Sequence, residues 1–155
     1  MSGFSVVEGD VALVDQGSGE AAEVQGGRLL VSDVPATPPT GATAVSQQAV
    51  GDVSGSTDTI YVIPNAQTLT VSTLLAGAES VEGKKASKVA LYEDPNGDLS
   101  VLNYIGVPAY VANSNFAQAL NESFVGDGTR RIVLRRERLD GGTLEIAGYW
   151  SGWLA

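Results

Sequence analysis

The chain has 155 residues, about one domain's worth, with 18 acidic against 9 basic residues, a net charge of −9, and neither cysteine nor histidine. Those zero counts exclude disulfides, thiolate or imidazole metal sites, and Ser-His-Asp or Cys-His nucleophile systems. The acidic balance argues against a general nucleic-acid binder, which needs a basic field.

At 43% hydrophobic and 17% charged, with 19 glycines, the chain suits short strands and turns better than long helices. The start, MSGFSVVEGD, has no basic region and no apolar run of signal-peptide length. No apolar run approaches the roughly 20 residues that span a bilayer. The expectation is a soluble protein made in the cytoplasm, with no membrane partner.

Charge and aromatics are unevenly spread. Residues 1–60 hold eight acids, one base (Arg28) and one aromatic (Phe4), whereas the remainder holds nine aromatics and eight bases. Within the first part, 4–7, 11–14 and 28–31 read as short strands separated by Gly-Asp, Gly-Ser-Gly and Gly-Gly, too short to form a stable sheet alone. Residues 32–58 carry three prolines, many Ser, Thr and Gly, and no aromatic. They read as an extended linker. Its scattered Val34, Val45, Val50 and Val53 could pin it to a partner surface; the plainer alternative is a flexible tether. Together, 1–58 is expected to be an acidic arm with short strands, and 59–155 the domain.

From residue 59 the pattern is β. Residues 59–63 and 68–74 alternate, with Pro64-Asn65 between them. A polar turn, GAESVEGKKAS, follows. Residues 88–93 and 99–105 flank Asp94-Pro95-Asn96-Gly97-Asp98, a hairpin with proline and glycine where a type I turn takes them. Residues 107–111 read as another short strand. In 113–124, Phe116, Leu120 and Phe124 recur every four residues behind a capping Asn113 or Ser114, which predicts a short helix. Residues 130–139 and 143–154 flank Asp140-Gly141-Gly142, a second hairpin. Seven or eight strands at short intervals predict an all-β fold: a β-sandwich, jelly-roll-like.

The candidate sites each have a plainer alternative. Asp94, Asn96 and Asp98 alternate as in a calcium loop, but Leu99 stands where glycine is required and Ile105 where the late glutamate should be, so a turn explains them without metal. Arg130, Arg131, Arg135, Arg136 and Arg138 form a basic stretch. Its alternation puts Ile132, Leu134, Arg136 and Arg138 on one face. Val133, Arg135, Glu137 and Leu139 fall on the other. Arg135, Arg136 and Arg138 could dock an acidic surface or a neighbouring subunit's arm; the alternative is a solvated strand cross-paired with nearby acids. Near the C-terminus, Leu144, Ile146, Trp150 and Leu154 share one face. Tyr149 and Trp153 lie on the other, placed to anchor an interface or stack on a sugar. Lys84, Lys85 and Lys88 beside Ser80 and Ser87 could suggest a Ser-Lys dyad, but the stretch looks solvated and no lysine is desolvated by it. No Gly-rich loop has a phosphate-cradle context. No catalytic residue, cofactor or metal is expected.

Three runs carry a resemblance: GDVSGSTDTIYVIPNAQTLTVSTLLAGAES, SKVALYEDPNGD, and FVGDGTRRIVLRRERLDGGTLEIAGYWSGW. In these, over about residues 51–155, the chain resembles small accessory virion proteins of tailed bacteriophages. The resemblance implies a non-enzymatic particle component: a β-sandwich knob with an extended arm, often trimeric. Its partners would be the major capsid protein and further copies of itself. The expected role is decoration and stabilisation of the mature head on the capsid surface. A tail or fibre adsorption protein binding host glycan is the alternative.

Overall fold

Strands in the C-terminal two-thirds of the chain pair in a nested order. Residues 37–79 and 86–155 are described in a computed structural model, together with the backbone of three N-terminal strands. Those three, β1 (Val11–Val14), β2 (Ala21–Gln25) and β3 (Arg28–Leu30), form an antiparallel sheet in chain order. The other eight are β4 (Thr43–Val53), β5 (Ser56–Val62), β6 (Thr68–Glu79), β7 (Ser87–Asp94), β8 (Asn103–Val111), β9 (Ser114–Val125), β10 (Arg131–Arg138) and β11 (Leu144–Leu154). Here β4 pairs with β11, β5 with β10, β6 with β9 and β7 with β8, all antiparallel. Residues 43–154 are thus one long hairpin wound back on itself. The result is two four-stranded sheets, β4-β11-β6-β9 and β5-β10-β7-β8, packed as a jelly-roll β-sandwich.

The core follows from strand alternation. On β11, Leu144, Ile146 and Trp150 face inward and are buried. They meet Val89, Leu91, Ile132 and Leu134 from the other sheet. Gly148 completes the inward row of β11; a Cβ there would crowd Val89 and the two Leu134 methyls at 3.1–3.2 Å, so glycine leaves room for those larger side chains. Trp150 is wholly buried, with Tyr61 of β5 set edge-on at 5.5 Å. Its indole N–H donates to Gln47 Oε1 at 3.2 Å, and Gln47 Nε2 donates to Ile60 O at 3.0 Å. One glutamine therefore satisfies the buried indole and ties β4 to β5 in the opposite sheet.

Two expectations are corrected. Residues 113–124 are not a helix but the strand β9, and among the described residues there is no helix. Spacing by four puts Phe116, Leu120 and Phe124 on one face under either period. The same face carries polar Gln118 and Glu122, which hid the alternation. Both are used: Glu122 Oε1 accepts Gly106 N–H at 2.8 Å and Gln118 Oε1 accepts Val107 N–H at 3.2 Å, where β8 bulges between its pairings with Val89 and Leu91. The second correction concerns 32–58. Its latter half is β4 and the start of β5, integral to the sandwich, and the chain divides into compact units at Met1–Val34 and Pro35–Ala155. The strand went unread because, between Val45 and Val53, its inward positions Gln47, Ala49 and Gly51 are small or polar.

The strands expected at 11–14 and 28–31 correspond to β1 and β3. The expected strand at 4–7 lies outside the described residues, as do Ser80, Lys84 and Lys85. The turn after β7 is longer than a tight hairpin, since β8 starts at Asn103. Asp94, fully buried, organises it: Oδ1 accepts Gly97 N–H at 2.9 Å and Oδ2 accepts Leu99 N–H at 3.1 Å.

Replacing Trp150 by alanine removes the largest core side chain and orphans Gln47 Oε1. It should destabilise the sandwich by about 3–5 kcal/mol in urea or thermal unfolding, as large aromatic truncations do. A loss under about 1 kcal/mol would show that the indole does not carry the packing.

Candidate interaction faces

Each sheet has an outer face, and the two differ in chemistry. On β4-β11-β6-β9 the cross-strand register sets Gln48, Tyr149, Leu75 and Ala117 in one row. Ser46, Ser151, Thr73 and Ala119 form the next. Neither row carries a charge. Tyr149 stands as a ridge between two shallow grooves. The larger, about 590 Å³, runs past Pro38, Ser46, Thr73, Ala119 and Trp153. The smaller, about 390 Å³, runs past Gln48, Leu75, Phe116 and Ala117. Charge appears at one end only, where Asp52, Glu145 and Glu79 lie side by side across three strands.

The outer face of β5-β10-β7-β8 is aromatic and ionic. Ile60, Val133, Tyr92 and Tyr104 form a row across all four strands. Tyr92, Val133 and Ala90 are buried on this face with Leu102 against them. Arg135 stands directly opposite Asp58, with two parallel hydrogen bonds of 2.7 and 2.8 Å. The guanidinium also lies over the Tyr92 ring, 5.6 Å from its centroid. The Asp58 hydrogen bond pushes the Arg135 pKa up, against the opposing effect of burial. Lys88 lies opposite Glu137 at 3.6 Å and over the Tyr104 ring at 5.5 Å. The Tyr104 phenol pushes the Lys88 ammonium up, and Lys88 in turn draws the Tyr104 phenol down.

The sequence-derived site residues are dispersed by this architecture. Val34 lies outside the described residues. Val45 is half-buried against the core and Val53 is in it, so of these three described valines only Val50, 52% exposed, faces outward. Arg136 and Arg138 are 7% and 6% exposed, because alternation places them on the inner face with Ile132 and Leu134. Arg136 Nη1 donates to Ile146 O at 2.8 Å and Gly51 O at 3.3 Å, and burial lowers its pKa. The Arg138 guanidinium has no hydrogen-bond partner among the described residues. Only Arg135 remains for docking, and it is engaged by Asp58. Tyr149 and Trp153 share the outer face as expected, but Trp153 is only 7% exposed, leaving Tyr149 as the more accessible ring. Ser87 and Lys88 point to opposite faces: the Ser87 hydroxyl is buried and donates to Val111 O at 2.8 Å.

Sequence reasoning passed over Tyr104 and Tyr110, which are 50% and 65% exposed on the edge strand β8. Their signal was the KVALY and NYIGVPAY runs, whose pairing aligns Tyr92 with Tyr104 and Lys88 with Tyr110. No protein-family model matches the chain, and no curated protein matches it in sequence.

The Asp58–Arg135 pair has both partners less than a third exposed and bidentate geometry. A double-mutant cycle with Asp58→Ala and Arg135→Ala should give a coupling of about 1–2 kcal/mol in urea unfolding, above the range of ordinary surface pairs. A coupling near zero would show that the fork contributes no stability.

Proposed function

We propose that this chain is a structural virion protein of a tailed bacteriophage, decorating the capsid exterior and stabilising the mature head. The observation that carries this reading is the uncharged outer face of β4-β11-β6-β9, with Tyr149 between two grooves. On a chain of net charge −9, a face without charge escapes the mutual repulsion that the net charge imposes on two copies. A neutral face of small side chains with one aromatic ridge can be desolvated cheaply and packed closely. Its proposed partners are the major capsid protein and neighbouring copies, in a homotrimer.

The resemblance of 51–155 to small accessory virion proteins supports the same reading, and so does the jelly roll. Residues 1–34, a compact unit carrying six acids and one base, would add a second grip. Linked contacts raise the effective concentration of each other, so modest individual contacts hold firmly on a symmetric shell. Stabilisation by clamping needs no proton shuttle, in keeping with a chain that has no histidine or cysteine.

Gold-conjugated antibody against the protein should label the heads of purified particles. Recombinant protein added to undecorated capsids should raise their melting temperature. Leu75→Glu places a charge at a 40% exposed position of the neutral face. It should weaken capsid binding at least tenfold, about 1.4 kcal/mol, while the domain's own melting point stays put. Label confined to the tail would overturn head decoration and leave the adsorption alternative.

A further inference from the structure

We propose that the opposite sheet, β5-β10-β7-β8, carries a binding site for a neutral glycan on its outer face, with Tyr104 and Tyr110 as stacking platforms. Tyr104 is backed by Tyr92, ring centroids 4.6 Å apart and tilted by 32°. One face of the ring is thereby held while the residue stays half exposed. Lys88 Nζ lies 5.5 Å from the same ring's centroid, and a ring fixed in this way yet half exposed offers the accessible surface that stacking on the apolar side of a sugar requires. Tyr110 offers a second ring on the same edge. The two lie across from Tyr92 and Lys88, which are four residues apart on β7. At the usual rise that is about 13 Å, room for an extended ligand.

The polar groups between the rings match hydroxyls better than charges. Lys88 supplies ammonium donors and Glu137 carboxylate acceptors, and the two already neutralise one another at 3.6 Å. Arg135 is neutralised by Asp58 in the same way. Donors and acceptors thus stand side by side without net charge, and a chain of −9 repels acidic polymers. An added polypeptide strand fits this edge poorly. Gly106 and Val107 N–H are already taken by Glu122 and Gln118, and Pro108 has no N–H to give.

The test is an array of neutral hexose and N-acetylhexosamine oligosaccharides probed with the full chain, followed by calorimetric titration of the best-bound one. Tyr104→Ala and Tyr110→Ala should each weaken binding at least tenfold. Tyr104→Phe, which keeps the ring and its stacking on Tyr92, should stay within about threefold of the parent, and it guards against a loss caused by misfolding. No binding anywhere on the array would overturn the proposal. So would binding that Tyr104→Ala leaves unchanged, or binding to a glycoprotein that persists after its glycans are removed.

Discussion

The sandwich is organised around a polar atom in the wrong place. A tryptophan as deeply buried as Trp150 brings an N–H donor into the interior, and an unpaired buried donor costs about 1–3 kcal/mol. Gln47 accepts that donor and passes its own amide N–H to Ile60 O. The bond cannot form unless β4 lies beside β11 and β5 faces it from the other sheet. A single satisfied polar chain therefore selects the outermost pairing of the nested hairpin. The inner pairings follow by alternation of Leu, Ile and Val along β6, β7 and β10. Gly148 shows the complementary constraint: beside the largest side chain, the next inward position must be the smallest, because Leu134 and Val89 occupy the space.

How much could be read from residues alone depended on which term dominated each strand. β7, β10 and β11 carry large apolar side chains at alternate positions, and burial of those side chains outweighs everything else; their extents were read to within a residue or two. β4 and β9 are held differently. Their inward positions include Gln47, Gln118 and Glu122, whose value lies in partners contributed by other strands. A local pattern cannot register a partner 11 to 103 residues away. β4 therefore resembled a linker, and β9 a helix, because its three apolar residues fall at a spacing common to both periods. The arginines illustrate the same limit. Alternation sorted them correctly onto two faces, but not which face is inside, since Arg136 is held inward by Nη1 bonds to the carbonyls of Ile146 and Gly51.

Sorting charge by face has a larger consequence than the net charge does. The strands of β5-β10-β7-β8 keep their outward charges in opposed pairs, Arg135 with Asp58 and Lys88 with Glu137, aligned by register. The strands of β4-β11-β6-β9 keep charge out of their central rows altogether and concentrate it at one rim. Like charges directly opposite one another are destabilising in a sheet, so the row of Asp52, Glu145 and Glu79 is retained at some cost. A basic surface meeting that rim would relieve the repulsion.

The two outer faces can then serve two contacts at once, because they lie on opposite sides of the same two-layer core. A contact through Tyr149 and its flanking grooves leaves Tyr104 and Tyr110 turned away from the partner. Nothing in the pairing forces such a division; a jelly roll is stable with either face polar or apolar, provided the inner rows are filled. Rigidity between the two faces comes from the core itself. Trp150 lies directly beneath the neutral face and touches Tyr61 of the other sheet. Leu91, Ile132 and Leu134 lie beneath the aromatic one. Each outer face is thus held by side chains buried behind it, so neither proposed contact would depend on a loop for its geometry, and binding at either would incur little ordering cost in the strands that present it.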